Sequence, residues 1–212
     1  MKIQIWSDYV CPFCLLAKGP IQEAVAGRDV EIEWMPFELR PEPVPTLEPE
    51  GDYLQNIWKQ TIYPMAERMG VGIHLPDVSP QPYTRLAFEG YQYAREHGDA
   101  EAYNDRLLRA FFEDGLDIGD LDVLADLAAG LGLDAAEFRA ALLDGRYGEA
   151  HRAALQQAQD LQIRSVPTII VDGTYRIEGV PRPDALRELL DRLEAIKAVE
   201  APGKTCCGVE GC

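Results

Sequence analysis

Residues 7–14 read SDYVCPFC, and the fold turns on what flanks them. Ahead lie Ile3, Ile5 and Trp6, a short apolar run with the character of a buried strand. Behind, residues 15–26 (LLAKGPIQEAVA) continue as a helix that Gly27 stops. Residues 30–39 (VEIEWMPFEL) alternate at Val30, Ile32 and Trp34, which predicts a second strand. Strand, helix and strand within about forty residues make a βαβ unit, so the two strands run parallel. Cys11 and Cys14 then fall at the strand-to-helix junction.

The chain beyond is organised in blocks. Residues 40–51 (RPEPVPTLEPEG) hold four prolines and little to bury, which marks a linker. From Asp52 to Leu161 the pattern is helical. Tyr53, Leu54, Ile57, Trp58 and Ile62 form one apolar stripe, expected to be bent or interrupted by Pro64. After the loop 70–82, helices are expected over 84–96, 101–114, 121–129, 135–143 and 147–161. Strand character returns at Thr168–Val171. Asp172-Gly173 signals a hairpin turn, and Tyr175–Glu178 is the returning strand. A last helix opens at Pro183, with Leu186, Leu189, Leu190, Leu193 and Ile196 on one face.

A βαβ half and a ββα half that share one sheet make an α/β domain of thioredoxin-like fold, split here by a helical insertion. The expected boundaries are 1–40 for the first half, 41–161 for linker and insertion, 162–197 for the second half, and 198–212 for a cysteine-bearing tail.

A C-x-x-C at such a junction has a redox rationale. Unpaired N–H groups and the macrodipole at a helix N-terminus favour a thiolate on Cys11. Cys14, one turn on, is placed to resolve a mixed disulfide. Pro12 suits the first helical turn, where its missing N–H costs nothing. A zinc site would need a second ligand pair, and His74, His97 and His151 show no ligand spacing. Two inert core cysteines would leave the motif's context unexplained. Val166-Pro167, just before the returning strand, is where a cis bond would turn the chain beside the motif and expose the Val166 backbone to an extended substrate. An ordinary trans proline that starts a strand is the plainer possibility.

Totals narrow the classes. The 212 residues are 47% hydrophobic, enough for a sizeable core, and the formal net charge is −16. That charge repels phosphate, which argues against nucleic-acid and anionic-membrane partners. No run has the apolar length of a membrane span. The opening MKIQIWSDYVCPFC lacks the unbroken apolar core of a signal peptide, so a cytoplasmic protein is expected, where thiols are kept mostly reduced.

SDYVCPFC with its helix, the long helical insertion and SVPTIIVDGTYRIEGV (165–180) together resemble the DsbA-like thioredoxin-fold oxidoreductases, over residues 1–197. The leaderless start and the C-x4-C from Cys207 to Cys212 resemble their cytoplasmic FrnE-type branch. The resemblance implies that Cys11 and Cys14 are the catalytic pair and Val166-Pro167 the cis-proline loop, with Pro12 and Phe13 shaping the substrate face. It implies thiol–disulfide exchange or isomerisation on protein cysteines, linked to oxidative stress. No cofactor beyond the redox disulfide is expected, and no metal; glutathione or thioredoxin are possible exchange partners.

Two departures stand out. Periplasmic relatives have histidine where Phe13 stands, so a weaker oxidant is expected here. They also carry a buried glutamate where this chain has Ile5. Asp8 is nearer to the cysteines but is expected to be exposed, which leaves the proton route open. Other functions stay in play. Glutathione-dependent isomerases and transferases share the fold but typically replace Cys11 by serine. The tail thiols could instead sequester a soft metal.

The tail is GKTCCGVEGC (203–212). A disulfide between adjacent Cys206 and Cys207 would close a strained small ring. Gly208 and Gly211 allow the turn that would join Cys207 to Cys212, in an exposed and labile disulfide. These two are expected to be a second redox pair that relays electrons to or from Cys11, with Cys206 auxiliary.

Overall fold

A computed structural model describes residues 1–200 of the chain. Cys206, Cys207 and Cys212 lie outside the described residues, as does the tail pairing expected of them.

Four strands form one sheet in the order β2-β1-β3-β4. β1 (Lys2–Ser7) runs parallel to β2 (Glu31–Pro36), with Ile5 opposite Trp34. β3 (Thr168–Val171) is antiparallel to β1, with Trp6 opposite Thr168, and β4 (Tyr175–Glu178) is antiparallel to β3. This is a thioredoxin-like sheet, built from the first 36 residues and from residues 168–178.

Period-two alternation decides what each face buries. Ile3, Ile5, Ile169 and Val171 join the main core with Leu16 and Ile21 of α1 (Pro12–Val25) and Leu186 and Leu190 of α9 (Pro183–Glu200). Trp6 and Ile170 belong to a smaller cluster that contains Cys11, Cys14, Met35 and Ala158. Arg28 fastens α9 to the end of α1 through Asp191 (2.5 Å) and Glu194 (2.8 Å).

Between β2 and β3 the chain forms α2 (Asp52–Ile57), α3 (Tyr63–Met69), α4 (Arg85–His97), α5 (Ala100–Phe112), α6 (Leu121–Gly130), α7 (Ala135–Leu143) and α8 (Gly148–Asp160). Asp99, Asp120 and Asp134 cap α5, α6 and α7 by accepting N–H groups of the first turn, so part of the acidic composition is helix capping. A part-buried ion pair from Lys18 to Asp105 ties α5 to α1.

Three expectations need correction. The second strand stops at Pro36, not at Leu39, because the Leu39 N–H donates to Asp8 Oδ2 (2.7 Å) and leaves the ladder. The interruption expected at Pro64 begins a turn earlier, as a π-helical turn at Trp58–Ile62; the chain stays helical through Pro64, whose missing N–H and ring disfavour the ordinary helical bond just there. Tyr53 is no core residue, being 62% exposed, although Leu54, Trp58 and Ile62 of the same stripe are buried.

Candidate redox site at the helix N-terminus

Cys11 is the N-cap of α1, in extended conformation (φ −94°, ψ 110°), and Pro12 occupies the first turn. Its N–H donates to the Asp8 carbonyl (3.1 Å), and its carbonyl accepts the Cys14 N–H (3.0 Å). The turn therefore stacks Cys14 beneath Cys11. Cys11 is 5% exposed and Cys14 fully buried, both as free thiols.

The same point receives the second half of the chain. The Val166–Pro167 peptide bond is cis. The Val166 carbonyl oxygen lies 3.6 Å from Cys11 Sγ, as a sulfur–oxygen hydrogen bond. The loop is held on both sides: the Thr168 hydroxyl donates to the Ser165 carbonyl (2.7 Å) and the Gly179 N–H to the Pro167 carbonyl (2.8 Å). Phe13 is partly buried against both core clusters. Cys11, Cys14, Pro12, Phe13, Val166 and Pro167 thus meet at one end of the sheet.

The two thiols differ in environment. Burial, and then the Cys11 thiol beside it, push Cys14 well above the usual thiol range; the Ser7 hydroxyl and the Asp8 N–H facing it act weakly the other way. Cys14 is therefore held as a thiol.

Asp8 is the main surprise. It was expected to be exposed, yet it is 1% exposed. Its Oδ2 accepts the Leu39 N–H, and its Oδ1 has no hydrogen-bond partner among the described residues. Burial raises its pKa to about 6, against the N–H and hydroxyl groups of Leu39, Thr84 and Val10, with the nearby Glu38 charge adding to the rise. Behind Asp8, Glu38 Oε1 is 2.6 Å from His151 Nε2, a pair with side chains 6% and 2% exposed, and the His151 ring stacks on Phe88. A sequence pattern has no means of finding this pair: its members are 113 positions apart.

A cavity of ≈ 250 Å³ opens beside Cys11. The helical insertion supplies one wall with Leu54, Ile57, Trp58 and Ile62, which the sequence presents only as core. Arg40, Gln81, Thr84 and Arg164 also line it, and nothing in their sequence context singles them out. Among the described residues, no group of three or more His, Cys, Asp or Glu side chains is placed to hold a metal ion. His74 and His97 are exposed, whereas His151 is buried. Among the described residues no helix is long and apolar enough to cross a membrane.

A family model described as the DSBA-like thioredoxin domain matches residues 2–191, and the chain belongs to that family. It is 49% identical over 192 residues to the uncharacterized protein YwbO of Bacillus subtilis, covering 90% of this chain and 96% of that one. Among solved structures, a "probable DsbA oxidoreductase" of Streptomyces coelicolor superposes with a TM-score of 0.81 at 28% identity, over 92% of this chain and 90% of that one. The cytosolic disulfide reductase DsbM of Pseudomonas aeruginosa superposes with a TM-score of 0.70 over 92% of this chain and 100% of that one; at 18% identity the likeness concerns the fold.

Proposed function

We propose that this DSBA-like protein catalyses thiol–disulfide exchange on protein cysteines, with Cys11 as nucleophile and Cys14 as resolving thiol. The carrying observation is Cys11 at the N-cap of α1, within 3.6 Å of the Val166 carbonyl, with Cys14 buried below it. The Cys11 thiolate attacks one sulfur of a substrate disulfide, and the other substrate sulfur leaves as a thiolate. Cys14 gives up its proton and attacks the Cys11 sulfur, which releases the second substrate sulfur. The substrate is reduced by two electrons, and the protein holds the Cys11–Cys14 disulfide; run in reverse, the protein oxidises a dithiol. A substrate segment laid along Val166 can pair with its backbone carbonyl, the one that faces Cys11 Sγ, in the manner of an added strand.

The proton of Cys14 needs an acceptor. Asp8 is the one carboxylate among the cavity-lining residues, and it has a free oxygen among the described residues. In this reading it takes the place left by Ile5, holds the proton during resolution and returns it to the departing thiolate.

The reading extends to the cytoplasmic FrnE-type branch, to a part in oxidative stress, and to Cys207 and Cys212 as a second pair assisted by Cys206. The C-x4-C spacing supports it, as does the cytosolic setting of DsbM. Glutathione is a natural exchange partner, since DsbM has been captured with it. A glutathione-dependent isomerase would need room for glutathione and a second molecule together. The ≈ 250 Å³ cavity is smaller than the roughly 300–1,000 Å³ typical for a single drug-sized ligand, which favours exchange.

Reduction of a protein disulfide, followed with wild-type protein and with Cys11→Ser, tests the proposal. Turnover lost with Cys11→Ser, and a mixed disulfide trapped by Cys14→Ser, support it; undiminished turnover in Cys11→Ser overturns it.

A further inference from the structure

The cavity beside Cys11 has a composition that the exchange chemistry does not require. Leu47, Leu54, Ile57, Trp58, Ile62 and Pro82 give it apolar walls. At ≈ 250 Å³ it is too small for a whole cofactor, yet it is ample for one aromatic side chain. Its mouth carries the exposed ring of Tyr53 and the exposed Leu39, apolar groups left facing solvent beside the reactive sulfur.

Charge is arranged against the general trend of the molecule. The chain carries a net charge of −16, and most of its described cations are engaged in ion pairs. Arg40 and Arg164, both exposed and both lining the cavity, take part in no ion pair among the described residues. Arg40 donates only to the Pro45 carbonyl (3.2 Å), and no hydrogen bond holds the Arg164 guanidinium among the described residues. Arg164 stands two residues before Val166, whose carbonyl faces Cys11. The opposing carboxylate, Asp8, is buried in the wall and tied to the Leu39 N–H. Two unneutralised guanidinium groups at the rim of an apolar hole suit a ligand with a bulky apolar group and a carboxylate close together.

We propose that this cavity is a specificity subsite for acidic-aromatic protein segments. A large apolar side chain next to the reacting cysteine enters between α1 and the helical insertion, and a neighbouring aspartate or glutamate of the same segment pairs with Arg164 and Arg40. The inference rests on the exchange reading above and adds the class of substrate to it. The anionic surface elsewhere repels an acidic segment, so the two arginines also decide where it lands.

The test uses four short peptides whose single cysteine is capped as a 2-pyridyl disulfide. The residue after the cysteine is Phe or Ala, and the next is Glu or Lys. Reduced full-length protein is mixed with each, and the release of pyridine-2-thione gives a second-order rate. The expected result is a rate for the Phe-Glu peptide about tenfold or more above that for Ala-Lys, a preference that shrinks as salt is raised. Arg164→Glu should abolish or invert the preference for Glu over Lys while keeping that for Phe over Ala. Ile57→Trp, which fills the cavity from a half-buried position, should remove the preference for Phe alone. Should Ile57→Trp fail to fold, the surface variant Arg164→Glu still decides the charge arm and the wild-type peptide ratios the apolar arm. Equal rates for all four peptides overturn the subsite and leave exchange standing. No reaction with any peptide, in protein whose Cys11 is alkylated normally, overturns the exchange reading itself.

Discussion

Cys11 Sγ and the Val166 carbonyl oxygen are 3.6 Å apart, although 155 positions separate them in the chain. β3 pairs with β1, with Thr168 opposite Trp6, and this register carries the Val166 backbone to the N-terminus of α1. The site is therefore a joint between the two halves of a split domain. Its geometry depends on the central pair of strands.

The joint predicts unequal thiols. In reduced protein Cys11 should alkylate faster than Cys14, which is fully buried and held protonated. Timed labelling with iodoacetamide, followed by peptide mass mapping, reads the order. Faster labelling of Cys14 would reverse the roles assigned to them.

Asp8 predicts a pH signature. Its folded-state pKa, raised to about 6, lies above the unfolded value, so the native state binds the proton more tightly. The Asp8 contribution to stability should therefore decline as pH rises from about 4 to about 6. Above that, the ionised buried carboxylate costs on the order of 3 kcal/mol. Asp8→Asn keeps an oxygen for the Leu39 N–H and removes the charge. Urea midpoints should show the variant gaining on wild type at pH 8, with the gain fading by about pH 4. The same variant should resolve mixed disulfides more slowly if Asp8 holds the Cys14 proton. An unchanged pH profile of stability would show that Asp8 carries no such penalty.

Gly90 predicts a packing limit in the insertion. A Cβ there would meet the Tyr103 hydroxyl and stand 2.7 Å from Phe138 Cζ, both on fully buried rings. Gly90→Ala should lower stability by roughly 1–3 kcal/mol despite alanine's better helix propensity. Denaturant unfolding measures it. A neutral or stabilising result would mean that α4 can part from α5 and α7 at little cost.

The tail prediction gains a geometric condition. Lys197 of α9 pairs with Asp172 (2.8 Å), and the Asp172 N–H donates to the Lys2 carbonyl (2.8 Å), so α9 ends beside the start of β1. Cys11 follows the other end of that strand. Cys207 is seven residues beyond Glu200, at most about 25 Å of extended chain, which is little more than the length of β1 itself. Cys212, twelve residues beyond, can span about 40 Å. Both lengths exceed that of β1, so within one chain either member of the expected pair, Cys207 or Cys212, is long-reaching enough to meet Cys11. Cys212→Ser should slow redox equilibration more than Cys206→Ser, and deletion of residues 205–212 should slow it at least as much. Turnover and equilibration unchanged by the deletion would rule out a relay.

The sequence by itself determined most of the elements and where the cysteine pair falls among them. Hydrophobic period, the Asp-Gly turn and the prolines are local signals, and they sufficed for β3 at Thr168–Val171, β4 at Tyr175–Glu178 and α7 at Ala135–Leu143. The C-x-x-C at a strand-to-helix junction located Cys11 and Cys14 for the same reason: one turn of helix sets their relation. Tertiary structure alone decided the surroundings. Asp8 looks like an exposed loop acid in sequence, and it is buried because the insertion closes over the β1–α1 loop and Leu39 captures its oxygen. The Glu38–His151 pair, the cavity wall from Leu54 to Ile62, and the place of Arg164 at its rim all join residues far apart in the chain. No local propensity encodes such meetings, because they arise from how the helical block packs against the sheet. The place of the motif could be read from the sequence, but the environment around it exists only in the packed molecule.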